Sequence, residues 1–363
     1  MKNILAVFGT RPEAVKMCPL ILELKKRPCF RVRVLSTGQH GEMLRSVTEF
    51  FGVMPDYTLD VMSADGTLFG ITESVMRGVR EVLEEESFDT VLVHGETSTA
   101  FSAALAAFYA RVPVGHVEAG LRTHNIREPY PEEFNRTAID ALSEYCFAPT
   151  HSAAENLTAE GKARESVFVT GNTVIDSFAY TVKEDFSHSA LDFAEGKKLA
   201  VITAHRRENL GKPMAAMFRG IVRALKRFPE YRAVFPVHGN PAVRAAAEEA
   251  FAGFGAVKLT EPPSVFDFHN ILSRASLVIT DSGGLQEEAP YFGVPVLVMR
   301  NTTERQEALR AGTARLIGTG EESVFRGICE VLGSQELYEK MARAASPFGD
   351  GHASERIADI LSK

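Results

Sequence analysis

Residues 277–299 read Leu277-Val-Ile-Thr-Asp-Ser-Gly-Gly-Leu-Gln-Glu-Glu-Ala-Pro-Tyr-Phe-Gly-Val-Pro-Val-Leu-Val-Met299. An apolar run, Leu277–Thr280, stops at Asp281-Ser282-Gly283-Gly284; a helical stretch follows, ends near Gly293 and leads into a second apolar run, Val294–Met299. Strand, turn, helix and strand in that order make a βαβ unit, and apolar runs without alternation suit strands buried on both faces of a parallel sheet. The same rhythm recurs along the chain. Ile4–Phe8, Val32–Ser36, Thr90–Val93 and Val112–Val117 are strand candidates in the first half, and Leu199–Thr203 and Ala233–Val237 precede the two above in the second. The pattern predicts an α/β protein with two doubly wound parallel sheets. A change of texture between Thr170 and Lys198 places the junction, giving a first domain over 1–170 and a second over 171–351. The amphipathic C-terminal segment, 352–363, is expected to pack back on the first domain.

A length of 363 residues suits two large domains at roughly 150 residues each. With 45% hydrophobic and 24% charged residues, disordered, collagen-like and coiled-coil classes are set aside. The net charge of −7 and the lack of a basic stripe argue against a nucleic-acid partner. A small anionic ligand held by a few placed groups remains compatible with that charge. Cys18, Cys29, Cys146 and Cys329 are scattered without metal-like or disulfide-framework spacing, so neither a metal nor a cross-link is expected. No signal-peptide core follows Met1, and no apolar stretch approaches the ~20 residues of a membrane span. The expectation is a cytoplasmic protein without a membrane partner.

Returning to Asp281–Glu288, its two glycines let backbone approach a ligand, and the first N–H groups of the helix suit a phosphate or diphosphate. The alternative is a plain strand-to-helix turn with Ser282 as N-cap. Gly9-Thr10-Arg11-Pro12-Glu13 follows the first strand in the same way, placing Arg11 and Lys16 at the carboxyl end of the sheet, where open α/β folds bind ligands. His94-Gly95-Glu96-Thr97 and His116-Val117-Glu118 also end strands, and Pro131-Glu132-Glu133-Phe134-Asn135-Arg136 follows a loop. Three carboxylates, Glu96, Glu118 and Glu132, on one sheet rim would repel and raise at least one pKa, as acid/base sites require. Singly, a solvated loop glutamate is the commoner case for each; the strand-end positions tilt the set toward chemistry. His205, in His-Arg-Arg-Glu-Asn, ends the first strand of the second domain and is expected to face the interdomain cleft; His238 is a weaker candidate of the same kind. Gly-x-Gly-x-x-Gly after a strand, Gly-x-x-x-x-Gly-Lys, His-Glu-x-x-His and Gly-x-Ser-x-Gly are all missing, so dehydrogenase, P-loop, zincin and α/β-hydrolase readings lose support and no cofactor is expected.

Taken together, Gly-Thr-Arg-Pro-Glu at 9–13, His-Val-Glu-Ala-Gly-Leu-Arg at 116–122, Pro-Glu-Glu-x-Asn-Arg at 131–136, Thr-Gly-Asn-Thr-Val-Ile-Asp at 170–176, His-Arg-Arg-Glu-Asn at 205–209, Asp-Ser-Gly-Gly-Leu-Gln-Glu-Glu at 281–288 and Thr-Thr-Glu-Arg at 302–305 resemble the non-hydrolysing UDP-N-acetylglucosamine 2-epimerases. The blocks run in order from the first strand to the last third of the chain. The resemblance implies a glycosyltransferase-B architecture, two Rossmann-like domains with the active site in the cleft between them, and interconversion of UDP-N-acetylglucosamine and UDP-N-acetylmannosamine. It implies anti elimination of UDP to 2-acetamidoglucal and re-addition on the other face. Ser282, Gly283, Gly284 and Arg11 would hold the diphosphate, Glu288 the ribose, and Lys16 and Arg136 further parts of the substrate. His205 matches the family histidine near the phosphates, and Glu96, Glu118 and Glu132 fall on the three acidic positions of proton transfer. A homodimer is likewise implied.

Departures from the family pattern bear on rate and regulation. Glu96 stands where aspartate is usual, one methylene longer, a difference expected to alter a rate. At the family's activator site Gln39 and His238 match, but Glu42, Asp65 and Gly239 replace a glutamine, an arginine and a leucine, so weak or absent activation by UDP-N-acetylglucosamine is expected. The competing readings are a hydrolysing 2-epimerase, whose members carry arginine where Thr97 follows Glu96, a glycosyltransferase of the same fold, and a UDP-sugar binder impaired in catalysis.

Overall fold

Ile4–Phe8 is fully buried, as a β-branched and apolar strand in the middle of a parallel sheet must be. It lies within β1 (Lys2–Phe8), which pairs on one side with β2 (Phe30–Ser36) and on the other with β4 (Thr90–His94). β3 (Tyr57–Thr58), β5 (Val114–Val117), β6 (Tyr145–Ala148) and β7 (Val167–Val169) complete a seven-stranded parallel sheet among the described residues, ordered β3-β2-β1-β4-β5-β6-β7. The second sheet has six strands among the described residues, also parallel: β8 (Lys198–Thr203), β9 (Tyr231–Pro236), β10 (Val257–Thr260), β11 (Leu277–Thr280), β12 (Val296–Val298) and β13 (Ala314–Leu316), ordered β10-β9-β8-β11-β12-β13. Both orders reverse direction beside their first strand, the feature that opens a ligand crevice at the carboxyl ends. The two Rossmann-like units are those of the glycosyltransferase-B architecture.

This is a computed structural model and describes residues 1–38, 41–61 and 67–363. The first unit comprises Met1–Tyr180 with Phe348–Lys363, the second Thr181–Pro347. The C-terminal helix Ala353–Ser362 belongs to the first unit. Asp176 accepts from the N–H groups of Ala353 and Ser354 at 3.2 and 2.6 Å, Lys2 donates to the Leu361 carbonyl at 2.9 Å, and Arg27 pairs with Asp359.

Two strands are shorter than their apolar runs, and proline is the reason in both. Val112–Val117 becomes a strand only from Val114, after Pro113, and Val294–Met299 only over Val296–Val298, after Pro295. Proline has no N–H for a ladder, yet both prolines still accept, from Val91 and Val278. The cysteines are free thiols. No helix among the described residues is long and apolar enough to cross a membrane.

Candidate active site

In the first unit the loops after β1, β4 and β5 lie on three adjacent strands, which brings Lys16, Glu96 and Glu118 to one rim. Glu118 has φ +70°, a left-handed conformation that costs a non-glycine residue on the order of 1–3 kcal/mol and persists where surroundings impose it. Its N–H and that of Ala119 both donate to the Phe147 carbonyl at 3.1 Å, fixing the turn. One carboxylate oxygen, Oε2, accepts from Lys16 Nζ at 2.5 Å and from Asn172 Nδ2 at 2.7 Å. Asn172 is itself buried, donating its N–H to the Phe348 carbonyl at 2.7 Å, so the C-terminal segment helps place it. His94 Nε2 stands 3.7 Å from the same oxygen and makes no hydrogen bond among the described residues. Burial drives the His94 pKa down to about 3 despite the Glu118 charge, so the ring is neutral.

Glu96 meets Arg136 across the rim, Oε1 to Nη2 at 3.0 Å, and its carbonyl accepts from Asn135 Nδ2. Arg136 is buried; its Nη1 pairs with Glu133 Oε2 at 3.4 Å, while Nε and Nη1 make no hydrogen bond among the described residues, a deficit in a buried cation that a ligand commonly fills. The two neighbouring glutamates of the 131–136 block divide their work. Glu133 is buried and accepts from the N–H groups of Thr123 and His124, both at 2.9 Å; Glu132, first residue of helix Glu132–Leu142, is half-buried and has no polar partner among the described residues. Glu13 spans two loops, accepting from the N–H of Gly9 at 3.0 Å and of Thr10 at 2.7 Å and from the Thr97 hydroxyl at 2.7 Å. Thr97 in turn caps helix Ser98–Tyr109 through the Ala100 N–H.

The mutual repulsion expected of Glu96, Glu118 and Glu132 is not how this rim is balanced. Lys16 sits on Glu118, and Arg136 lies between Glu96 and Glu133, so two of the three carboxylates face a cation. Lys16 and Arg136, expected to bind substrate, also pair with these carboxylates. Arg11 opens helix Arg11–Lys26 beside them.

In the second unit Ser282 and Gly283 link β11 to helix Gly284–Glu288, and a 3₁₀ turn, Ala289–Phe292, ends at Gly293 with φ +69°. Ser282 does not cap the helix: its N–H donates to Thr280 Oγ1 and its carbonyl accepts from Gln286, while the hydroxyl makes no cap bond. A Cβ at Gly283 would lie 2.8 Å from Glu304 Oε1, so a side chain there would have to displace the Glu304 carboxylate. Glu304 is gripped by Arg206, Arg300 and Arg305, at 3.1, 2.7 and 3.5 Å. Burial alone would raise its pKa; Arg305, Arg300 and Arg206 hold it at about 2. Glu287 is buried against Arg305 Nε at 2.6 Å, whereas Glu288 is half-buried and lies 3.9 Å from His269. At the end of β8, His205 Nδ1 is 3.2 Å from the buried Asp281, and its half-open ring stacks on His238 at 5.7 Å.

Asn172, Glu304, Arg300 and Arg305 carry no chemical signal of their own in the sequence; their only cue is membership of the 170–176 and 302–305 blocks, or adjacency to the latter. Gln39 and Asp65 lie outside the described residues, as does the side chain of Glu42. No His, Cys, Asp and Glu cluster that could hold a metal ion is found among the described residues.

A family model described as UDP-N-acetylglucosamine 2-epimerase matches residues 22–362. A Bacillus subtilis (strain 168) protein named UDP-N-acetylglucosamine 2-epimerase is 48% identical, over 99% of this chain and 94% of its own length. The crystal structure of a putative UDP-N-acetylglucosamine 2-epimerase from Listeria monocytogenes superposes with a TM-score of 0.93 at 47% identity, covering 99% of this chain and 95% of that one. The Neisseria meningitidis UDP-GlcNAc 2-epimerase, solved with UDP-GlcNAc bound, gives 0.91 at 41% identity and 99% coverage of both chains.

Proposed function

The chain belongs to the UDP-N-acetylglucosamine 2-epimerase family, and from that membership we propose that it interconverts UDP-N-acetylglucosamine and UDP-N-acetylmannosamine without hydrolysis. The observation that carries this reading is Glu118, turned off its strand by a left-handed φ and bound through one oxygen to Lys16 and Asn172. The C2 proton of a nucleotide sugar is not acidic. It becomes removable when the C1–O bond to the diphosphate breaks, since positive charge then spreads over C1 and the ring oxygen. A carboxylate takes the C2 proton, the C–H electrons form the C1–C2 double bond of 2-acetamidoglucal, and the C1–O electrons leave with UDP. Re-addition of UDP to C1, with a proton delivered to the opposite face of C2, completes the exchange. Glu118, Glu96 and Glu132 are the groups for proton transfer and for stabilising the oxocarbenium-like transition state. Ser282, Gly283, Gly284, Arg11 and His205 serve the diphosphate, Glu288 the ribose, and the unfilled donors of Arg136 the sugar.

Proton NMR of UDP-N-acetylglucosamine with the enzyme in deuterated water tests the reading. Deuterium at C2 together with the manno epimer is the expected result; free N-acetylmannosamine accumulating in step with UDP would assign the hydrolysing reaction instead. Thr97 favours the non-hydrolysing assignment, because hydrolysing members carry arginine where this chain has a threonine whose hydroxyl donates to Glu13 and caps a helix.

Two predictions follow from the departures at Glu96 and at the activator positions. Glu96→Asp retracts the carboxylate by one methylene and breaks the 3.0 Å pair with Arg136. It is expected to lower kcat about tenfold; a rise would mean that Arg136 restrains the carboxylate. Because Glu42 and Asp65 stand where the family's activator site has a glutamine and an arginine, reverse-reaction rates from pure UDP-N-acetylmannosamine should not depend on a trace of its epimer. A strict requirement for the trace would overturn that. The proposed assembly is a homodimer, supported by Phe69, Phe108 and Tyr109, exposed on helices Leu68–Glu85 and Ser98–Tyr109.

A further inference from the structure

His116 is fully buried in β5, and both of its ring nitrogens face oxygen: Nε2 the Gly95 carbonyl at 2.8 Å, Nδ1 the Asp140 Oδ1 at 2.6 Å. The other Asp140 oxygen accepts from the Gly120 N–H at 3.1 Å and lies 2.8 Å from Arg122 Nη1. Gly95 immediately precedes Glu96, and Gly120 comes two residues after Glu118. Both glycines are left-handed, at φ +64° and +84°, and a Cβ at 120 would sit 2.2 Å from the Ala153 carbonyl. The two loops that present the candidate carboxylates are therefore tied to one buried pair.

We propose that His116 and Asp140 are positioning residues for the epimerisation, a doubly protonated imidazole and a carboxylate that together hold the Glu96 and Glu118 loops at their working separation. A carbonyl oxygen only accepts, so Nε2 must donate to Gly95. Asp140 would be raised by burial, but His116 and Arg122 outweigh this and hold its pKa below the usual carboxylate value, so Nδ1 faces an ionised partner and donates as well. The ring state is assigned from these acceptors. Other groups around the pair do not compete for its charge. His94 on β4 is neutral; Cys146, opposite His116 on β6, is a thiol pushed up to about 12 by burial; Arg122 is shared with Glu160; and Lys162 binds the Asp140 carbonyl. Breaking the pair shifts two catalytic loops at once, and a displacement near 1 Å costs on the order of 10²-fold in rate.

The inference rests on the proposed epimerase reaction, so C2 deuterium exchange by the wild-type enzyme is established first; its absence would refute that reaction and not the pair. Long-range proton–nitrogen NMR of the histidine-labelled full-length protein at pH 7 then reads the ring, with His116→Gln identifying the signals. Protons on both ring nitrogens are expected, and a single protonated nitrogen would overturn the proposal. Asp140→Asn should lower kcat by about 10² and leave KM within about threefold. A folded Asp140→Asn enzyme with wild-type kcat would also overturn it, and the wild-type NMR decides the matter if the variant does not fold.

Discussion

Glu118→Gln is expected to lower kcat for epimerisation by about 10³-fold, within the range lost when a general base is removed, while UDP affinity stays within a few-fold. The amide is nearly isosteric with the carboxylate. Its oxygen can take the place of Oε2 and accept from both Lys16 and Asn172, so the 2.5 and 2.7 Å contacts that orient the side chain survive the change. Proton affinity does not survive, because a neutral amide cannot take the C2 proton. Incorporation of solvent deuterium at C2 should therefore fall in step with kcat, and isothermal titration with UDP should remain close to wild type. Asn172→Asp provides the complementary perturbation, replacing a donor by a second carboxylate against Glu118. If Glu118→Gln keeps kcat within tenfold, the base is Glu96 or Glu132, and Glu118 serves only to anchor Lys16.

The architecture is legible in the sequence wherever a strand is long enough and central enough to be apolar throughout. Ile4–Phe8, Leu199–Thr203 and Leu277–Thr280 are of this kind, and all lie inside strands. Strands at and near the sheet edges escape detection for a physical reason. Tyr57–Thr58 has two residues, Val167–Val169 and Ala314–Leu316 three each, and none of these stretches buries enough apolar surface to stand out from its flanks. Tyr145–Ala148, next to the edge strand Val167–Val169, is built from aromatic and small residues instead of β-branched ones.

The candidate site is legible in a narrower sense. Strand-end position identifies Glu96, Glu118 and His205, because the carboxyl ends of parallel strands are where chain direction and loop freedom coincide. Partnership is not written locally. Glu287 and Glu288 are indistinguishable as neighbours in sequence, yet one is buried against Arg305 while the other is half-open, since a one-residue step on a helix turns the side chain by about 100°. Glu132 and Glu133 separate in the same way. Asn172 and Asp140 reach the rim from elements 54 and 24 residues away from Glu118 and His116, distances over which no local pattern operates.

Asp281→Asn is expected to destabilise the second unit by about 3 kcal/mol, lowering Tm by roughly 6–12 °C for a unit of this size. Asp281 is fully buried, and every polar group that faces its carboxylate is a donor: the N–H groups of His205 at 3.1 Å and Arg206 at 3.0 Å, Asn209 Nδ2 at 3.1 Å and His205 Nδ1 at 3.2 Å. An asparagine would turn an NH₂ toward some of these donors, leaving buried N–H groups unpaired. Burial by itself would raise the Asp281 pKa, but the His205 and Arg206 hydrogen bonds and the His205 charge lower it below the usual value. A depressed carboxyl pKa contributes stability that is fully present above the unfolded value of about 3.9 and is lost as pH falls through the folded value. The Tm difference between wild type and Asp281→Asn should therefore shrink as pH falls below about pH 4. A difference that persists unchanged to pH 3 would show that the carboxylate's charge is not what the four donors require. Because Asp281 also fixes the approach to Ser282 and Gly283, UDP affinity should drop about tenfold or more in the same variant, well below the midpoint of thermal unfolding, where the loop alone is perturbed.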